Sequence, residues 1–407
     1  MKLRFTEVVF AAICIFYLTG ADWLQFRGSD YRSVSDDSSL PVHWDTTTNV
    51  AWKGQLPGRG LSSPIVVRGR VIVTSSSGVR QDRLHVVCFD SKTGEQLWHR
   101  QFWATGRTLT HPTSANAAPT PVSDGQRVIA FYSSNDVICL DLEGNLLWYR
   151  GLAHDYPKAG NDIGMSSSPV LIEGGVVFQV QNQGDSFAVA LDRSTGESLW
   201  RVPLHPIASW ATPTVDHDPK SGQQTVFLQS GNGLCAYDAN NGNLRWKYEI
   251  GCDGISSPAA VAGRLYLASG GMTLLDVAAT TTEPQVVWNE SKLNPGAASV
   301  IVDDSRLYIV NRTGVVSCAN ADTGKLLWKM RVEGSFWSTP VVAGDRLYAF
   351  NDKGVGQVVQ LGAEEGTLIS SNDLAEPIQA SPAVSDSAIY VRSDQHLWKI
   401  SSASQAE

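Results

Sequence analysis

Residues 89–98 read FDSKTGEQLW, and residues 191–200 read LDRSTGESLW. Both phrases hold an Asp, a Thr-Gly pair three residues later, and then a Leu-Trp. Each element has a mechanical reading. An Asp at the end of a strand accepts hydrogen bonds from amides of its own turn, and a Thr reinforces it. Gly supplies the positive φ that closes a hairpin. A Trp on the returning strand offers about 150–250 Å² of surface to wedge against a neighbour. The phrase is therefore structural, and its copies count the units of a repeat.

Further copies run Asp141…Gly144…Trp148 (one residue shorter), Asp238…Gly242…Trp246, a looser Asp276…Trp288, and Asn320…Thr323-Gly324…Trp328. Gly366-Thr-Leu-Ile-Ser370 keeps the turn but has Ser in place of Trp, which marks a weak boundary. Trp52 stands alone, without a preceding turn. Successive Trp residues lie 46, 50, 52, 46, 42 and 40 apart, a period expected of propeller blades. Ser/Thr-Pro phrases open each unit at Ser63, Thr120, Ser168, Thr212, Ser257, Thr339 and Ser381, with a copy at Ser299 that lacks its Pro. Short Val-rich runs separated by Gly- or Asp-bearing turns follow each one, as expected of antiparallel strands. The last unit has three clear strands, at 381–384, 388–392 and 396–400, while a spare strand sits at 49–56. The expectation is an all-β, eight-bladed β-propeller of four-stranded antiparallel blades. Its ring is closed by the N-terminal strand completing the last blade, which removes two open sheet edges. Seven blades is the alternative.

The composition agrees with a globular chain and excludes some partners. Hydrophobic residues make up 43% of the 407 positions, and the net charge is −8 without a Lys/Arg run. Nucleic acid and anionic membrane surfaces are thereby poor partners. Lys2 and Arg4 precede an apolar stretch, Val8–Leu18, and then Thr19-Gly20-Ala21. That order reads as a signal peptide over 1–21, with a mature start near Asp22; an uncleaved anchor is the alternative. Cys14 lies inside the apolar run, which speaks against a lipoprotein. No other stretch is long enough to span a bilayer. The expected organisation is therefore a signal peptide at 1–21, an extended segment at 22–48, the propeller at 49–401 and a tail at 402–407. The expected location is outside the cytoplasm, periplasmic or extracellular. Five cysteines remain after residue 21, an odd number without a C-x-x-C, so buried free thiols are expected rather than disulfides or metal ligands.

The pattern A-x-D-x-x-T-G-x-x-x-W resembles the tryptophan-docking repeat of the quinoprotein-like β-propellers, over roughly residues 49–401. That superfamily includes the alcohol dehydrogenases dependent on pyrroloquinoline quinone (PQQ) and the propeller lipoprotein of the outer-membrane β-barrel assembly machinery. The Ala slot of the repeat is filled here by Cys88, Cys139, Ala190, Ala236 and Cys318. The phrase Asp22-Trp-Leu-Gln-Phe-Arg-Gly28 is similar to the W-x-Q-F-R-G opening of many exported PQQ-like proteins. Its own residues read as an extended segment whose Trp23 and Phe26 tuck against the propeller, with Arg27 pairing locally.

The resemblance to the assembly lipoprotein implies protein partners in the cell envelope, met by loop contacts or strand addition. The dehydrogenases imply PQQ, a vicinal Cys-Cys stacking floor, a Ca²⁺ site and a catalytic Asp. This sequence has no adjacent cysteines and no matching acid–amide cluster, so no cofactor is expected and PQQ oxidation is the alternative. No residue is assigned as catalytic and none as a metal ligand, since the eight His show neither H-x-H nor H-E-x-x-H spacing. Binding residues are expected on the connectors leading into each blade, which gather around the channel mouth. These connectors carry Arg59, His111, Asn116, Asn161, Asp162, Trp210 and Trp337, a polar and aromatic set suited to a peptide or small ligand. Trp103, Trp210 and Trp337 also admit a carbohydrate-binding reading.

Overall fold

The computed structural model of the chain describes residues 22–160, 163–218, 221–277 and 283–402; the expected signal segment, Asn161 and Asp162 lie outside them. The described strands form eight sheets arranged as blades. Blades 1 to 6 span 65–103, 122–151, 170–203, 214–248, 259–290 and 301–331, and blade 7 spans 341–373. Blade 8 joins Ala383–Ser385, Ala388–Arg392 and His396–Ser401 to the N-terminal strand Val50–Gln55, antiparallel to His396–Ser401. The eight-blade count and the closure by the N-terminal strand both hold.

Burial explains the sequence texture. The second and third strands of a blade are covered on both faces by neighbouring blades, so Val71-Ile72-Val73 and Val86-Val87-Cys88 are fully buried and read as continuous apolar runs. The outer strand alternates, as in Leu326–Arg331, where Trp328 turns inward between exposed neighbours. In every blade this outer strand carries a β-bulge one residue before the Trp position. The bulge re-aims the Trp and leaves Leu97, Leu147, Leu199 and Leu327 exposed.

The repeated phrase works as a joint between blades. Asp90 Oδ1 accepts from the amides of Lys92 and Thr93 and from the Thr93 hydroxyl; Asp192 does the same with Ser194 and Thr195. Five of the Trp indoles donate to the carbonyl just after the opening residue of the next blade's hairpin. Trp52 reaches Ser91, Trp98 reaches Leu142, Trp148 reaches Arg193, Trp200 reaches Ala239 and Trp288 reaches Ala321, at 2.7–3.1 Å. The hairpin Gly lies flat on that indole. A Cβ on Gly94 would stand 2.5 Å from Trp52, and one on Gly196 would stand 2.7 Å from Trp148. Glycine is thus required twice, for its positive φ and for the absence of a side chain. Across the hairpin, Cys88, Cys139, Ala190, Ala236 and Cys318 are the direct partners of Trp98, Trp148, Trp200, Trp246 and Trp328. The cysteines are small residues beneath a large one. All five described cysteines are free thiols, and burial pushes Cys88, Cys139 and Cys252 up to about 12.

The Ser370 boundary is not weak. Trp44 of the N-terminal segment covers it, packing on Tyr348 and Phe350 at centroid distances of 6.4 and 5.9 Å. The Trp44 amide donates to Asn372 Oδ1 at 3.1 Å, and the Ser370 hydroxyl donates to the Val42 carbonyl.

Candidate functional site

The Ser/Thr-Pro phrases meet around the channel axis. The amide of each Ser or Thr donates to the hydroxyl oxygen of its counterpart in the next blade, at 2.9–3.1 Å. The order is Ser63, Thr120, Ser168, Thr212, Ser257, Ser299, Thr339, Ser381 and back to Ser63. Eight such bonds close a belt, and Ser299 takes its place in it without a Pro. The Pro supplies a fixed φ and no competing donor, whereas the hydroxyl is what the belt needs.

This belt encircles the floor of a cavity of about 640 Å³, lined by all eight hydroxyl residues and by the connectors above them. The far side is filled by the N-terminal segment. Trp23 makes two backbone hydrogen bonds with Val66, and the amide of Ser123 donates to the Leu24 carbonyl. The Tyr31 hydroxyl donates to the Leu171 carbonyl, and the amide of Val342 donates to the Ser33 carbonyl. Ser35 and Val34 then add a parallel strand inside blade 7. Phe26 reaches through to line the cavity. Arg27, beside it, is buried in the left-handed region at φ 67°. The hydrogen bond of Arg27 is not local: its Nη2 donates to the Pro258 carbonyl at 2.6 Å. Its Nε and Nη1 have no hydrogen-bond partner among the described residues, and its local contact is the Phe26 ring, 5.6 Å from the guanidinium. Burial pulls the guanidinium down to about 10 against the opposing pull of Asp30.

Of the residues expected at the mouth, His111, Trp210 and Trp337 line the cavity. Trp210 is fixed by its indole donating to the Gly164 carbonyl at 2.9 Å, and the Arg312 guanidinium sits 4.1 Å over the Trp337 ring. His111 Nδ1 lies 2.8 Å from the Thr113 hydroxyl. Arg59 and Asn116 are spent on the scaffold instead. Arg59 donates to the carbonyls of Pro112, Thr113 and Ser114 and so holds the His111 connector. Asn116 is fully buried, donating to the Gln81 carbonyl and accepting from the Ser134 amide. Trp103 is exposed on an outer strand beneath Arg83, apart from this lining.

The sequence reading missed Phe26, Ile163, Ile255, Arg312, Asp352 and Gln379, all of which line the cavity. Ile163 and Ile255 are exposed, and apolar residues on loops were the available signal. It also missed two polar clusters, the first formed by strand register and the second by a connector folding onto a hairpin. His85 Nδ1 lies 2.9 Å from His99 Nε2, and His85 Nε2 lies 2.7 Å from the Ser77 hydroxyl. Elsewhere Glu376 bridges Ser393 and His396. There the carboxylate, not the imidazole, takes the Ser proton, so this trio activates no nucleophile.

The cavity lining does not fit PQQ with its cation. Ca²⁺ takes about six to eight oxygen ligands, while the described lining offers one carboxylate, Asp352, and one amide, Gln379. No cluster of three or more His, Cys, Asp or Glu suited to a metal occurs among the described residues.

Sequence comparison gives this architecture a family. The profile described as outer membrane protein assembly factor BamB matches residues 25–189, 185–294 and 276–355, most of the chain. The chain belongs to that family. Among curated relatives it is 25% identical over 279 residues to outer membrane protein assembly factor BamB of Yersinia pestis, covering 66% of this chain and 65% of that one. It is also 25% identical over 246 residues to the polyvinylalcohol dehydrogenase of a Sphingopyxis strain, covering 50% of this chain and 35% of the relative. The chain thus spans between about a third and two thirds of these relatives. The crystal structure of BamB from Moraxella catarrhalis superposes with a TM-score of 0.59 at 17% identity, covering 88% of this chain and 98% of that one. A europium-containing methanol dehydrogenase superposes with a TM-score of 0.67 at 13% identity, covering 92% and 90%. At such identities these two structures report on the fold alone.

Proposed function

We propose that the chain is an exported, non-catalytic binding propeller that receives protein partners of the cell envelope on its channel-mouth face, as a scaffold for outer-membrane protein assembly. The observation that carries this reading is the make-up of that face. Two indoles and two exposed isoleucines rim a cavity whose described residues include neither an activated nucleophile nor a carboxylate pair. Aromatic side chains around a concave floor are what a recognition surface uses. Family membership supports the same reading, as does the apolar start of the sequence.

A photo-crosslinking residue placed at Trp337, and separately at Trp103, tests it in envelope preparations. A discrete protein adduct from position 337 and none from 103 is expected. Incubation of the purified chain with PQQ and Ca²⁺, followed by a dye-linked alcohol oxidation assay, tests the enzymatic alternative. Turnover there would overturn the scaffold reading.

A further inference from the structure

The hydroxyl belt has a chemical bias that its structural role leaves unused. Each of its eight oxygens accepts one amide hydrogen, and none of these hydroxyls donates to a protein acceptor among the described residues. The floor of the cavity is therefore a ring of O–H donors without protein acceptors. A hydroxyl that already accepts a hydrogen bond donates more strongly. Arg27 is buried behind the lining rather than in it, and its Nη2 is bound to the carbonyl of Pro258, the residue after ring member Ser257. Among the described residues two of its other donors have no hydrogen-bond partner and it makes no ion pair, while its guanidinium stands 5.6 Å over the ring of Phe26, which lines the cavity. Such a charge acts over short, poorly solvated distances and is weakly screened. The described rim adds the Arg312 guanidinium and a single carboxylate, Asp352. The floor thus supplies donors and positive charge, while the walls are aromatic and aliphatic.

We propose that the cavity binds a carboxylate carried on an apolar, preferentially aromatic, body. The carboxylate seats on the hydroxyl ring above Arg27, and the apolar part lies against Trp210, Trp337, Ile163 and Ile255. This deepens the binding reading above and rests on the same face. A cavity of about 640 Å³ falls in the usual range for ligands of this size, about 300–1,000 Å³. The same chemistry comes from two sources, a free organic acid or the C-terminal carboxylate of a polypeptide, and paired probes separate them.

Isothermal titration of the full chain with 4-phenylbutyrate and with its neutral amide gives the first comparison. A short uncharged peptide ending in phenylalanine, as the free acid and as the C-terminal amide, gives the second. At least one acid binds saturably below about 1 mM, and its amide binds at least tenfold more weakly. Binding by the peptide acid alone assigns the site to a chain terminus; binding by both assigns it to carboxylates generally. Arg27→Met weakens the acid at least tenfold and leaves the amide unchanged. Equal binding of acid and amide, no saturable binding by either acid, or an unchanged acid affinity in folded Arg27→Met overturns the proposal. Should that variant not fold by far-UV circular dichroism, the acid–amide comparison on the unaltered chain decides. Partner crosslinking at Trp337 is read independently, so the ligand can fail while the scaffold reading stands.

Discussion

Gly196→Ala separates the two requirements placed on the hairpin glycine. Gly196 has φ 74°, and the left-handed conformation costs a residue with a Cβ about 1–2 kcal/mol. The added methyl would also stand 2.7 Å from Cε3 and 2.8 Å from Cδ2 of Trp148. That indole cannot simply retreat, because its Nε1 is bound to the Arg193 carbonyl at 3.1 Å in the same hairpin. Overpacking of this kind costs about 1–3 kcal/mol, so the substitution should destabilise by about 2–5 kcal/mol. Gly174, in the same blade, supplies the control. Its φ is 76°, and nothing lies within 4 Å of the position its Cβ would take, so Gly174→Ala should cost only the conformational 1–2 kcal/mol. Trp148→Ala alone should cost about 3–5 kcal/mol. In that background the cost of Gly196→Ala should fall to about 1–2 kcal/mol, leaving a coupling of about 1–3 kcal/mol. Urea midpoints at constant m measure all four variants. If Gly196→Ala proves no worse than Gly174→Ala, or its cost is unaffected by Trp148→Ala, the glycine is not an indole platform.

Three further outcomes follow from buried groups. Arg392 is 1% exposed and spans blades 8 and 1, donating to the Ser62 hydroxyl, the Thr74 carbonyl and the Ser75 hydroxyl. Arg392→Met should lower the urea midpoint by the equivalent of about 3 kcal/mol, the scale of hydrogen bonds to a buried charge. His85 is lowered to about 4, first by burial and then by His99 and Arg83. Its unfolded form binds a proton near pH 6.5, so its contribution is complete above about 6.5 and is lost as the pH falls toward about 4. His85→Gln should flatten stability against pH in that window, and an NMR titration should place the His85 midpoint near 4. Cys88, Cys139, Cys252 and Cys318 are buried with raised thiol pKa values. They should resist Ellman's reagent in the native chain and react once it is unfolded.

The ring was legible because a propeller repeats its joints. In copy after copy the Asp binds its own turn, the Gly lies on the indole of the preceding blade and the Trp docks on the hairpin of the next, so spacing alone counted them. The belt was half legible: Ser/Thr-Pro marked each blade's start, but that each hydroxyl accepts from the backbone amide of its counterpart depends on eight distant segments converging. The mouth was less legible still. His111, Trp210 and Trp337 stood out as polar or aromatic loop residues, yet so did Arg59 and Asn116, which the connectors consume for their own backbones. Loop composition does not say which side chains the backbone will claim. The His85–His99 contact is fixed by hairpin register, which the turn phrase could have supplied.

Closure by the N-terminal strand also explains why one Trp is missing. A docking indole needs the next blade's third-to-fourth-strand hairpin, with its free carbonyl and its bare glycine. Blade 8 has no such hairpin, because its third strand ends at Ser401 and its fourth enters from Asn49, the two joined through the Ser401 amide and the Asn49 carbonyl. An indole at position 370 would find nothing to dock on. The N-terminal segment therefore supplies its own wedge as it passes, with Trp44 and Leu40 buried in one cluster with Tyr348, Val384 and Tyr390. Ser370 and Asn372 bind the Val42 carbonyl rather than a neighbouring hairpin. The same segment fills the channel with residues 22–33, widens blade 7 with Val34–Ser35, seals the seam with Trp44 and completes blade 8 with Val50–Gln55. Ring closure and the cavity floor thus depend on one continuous stretch, so a change that frees its start should open the channel while leaving the eight blades paired.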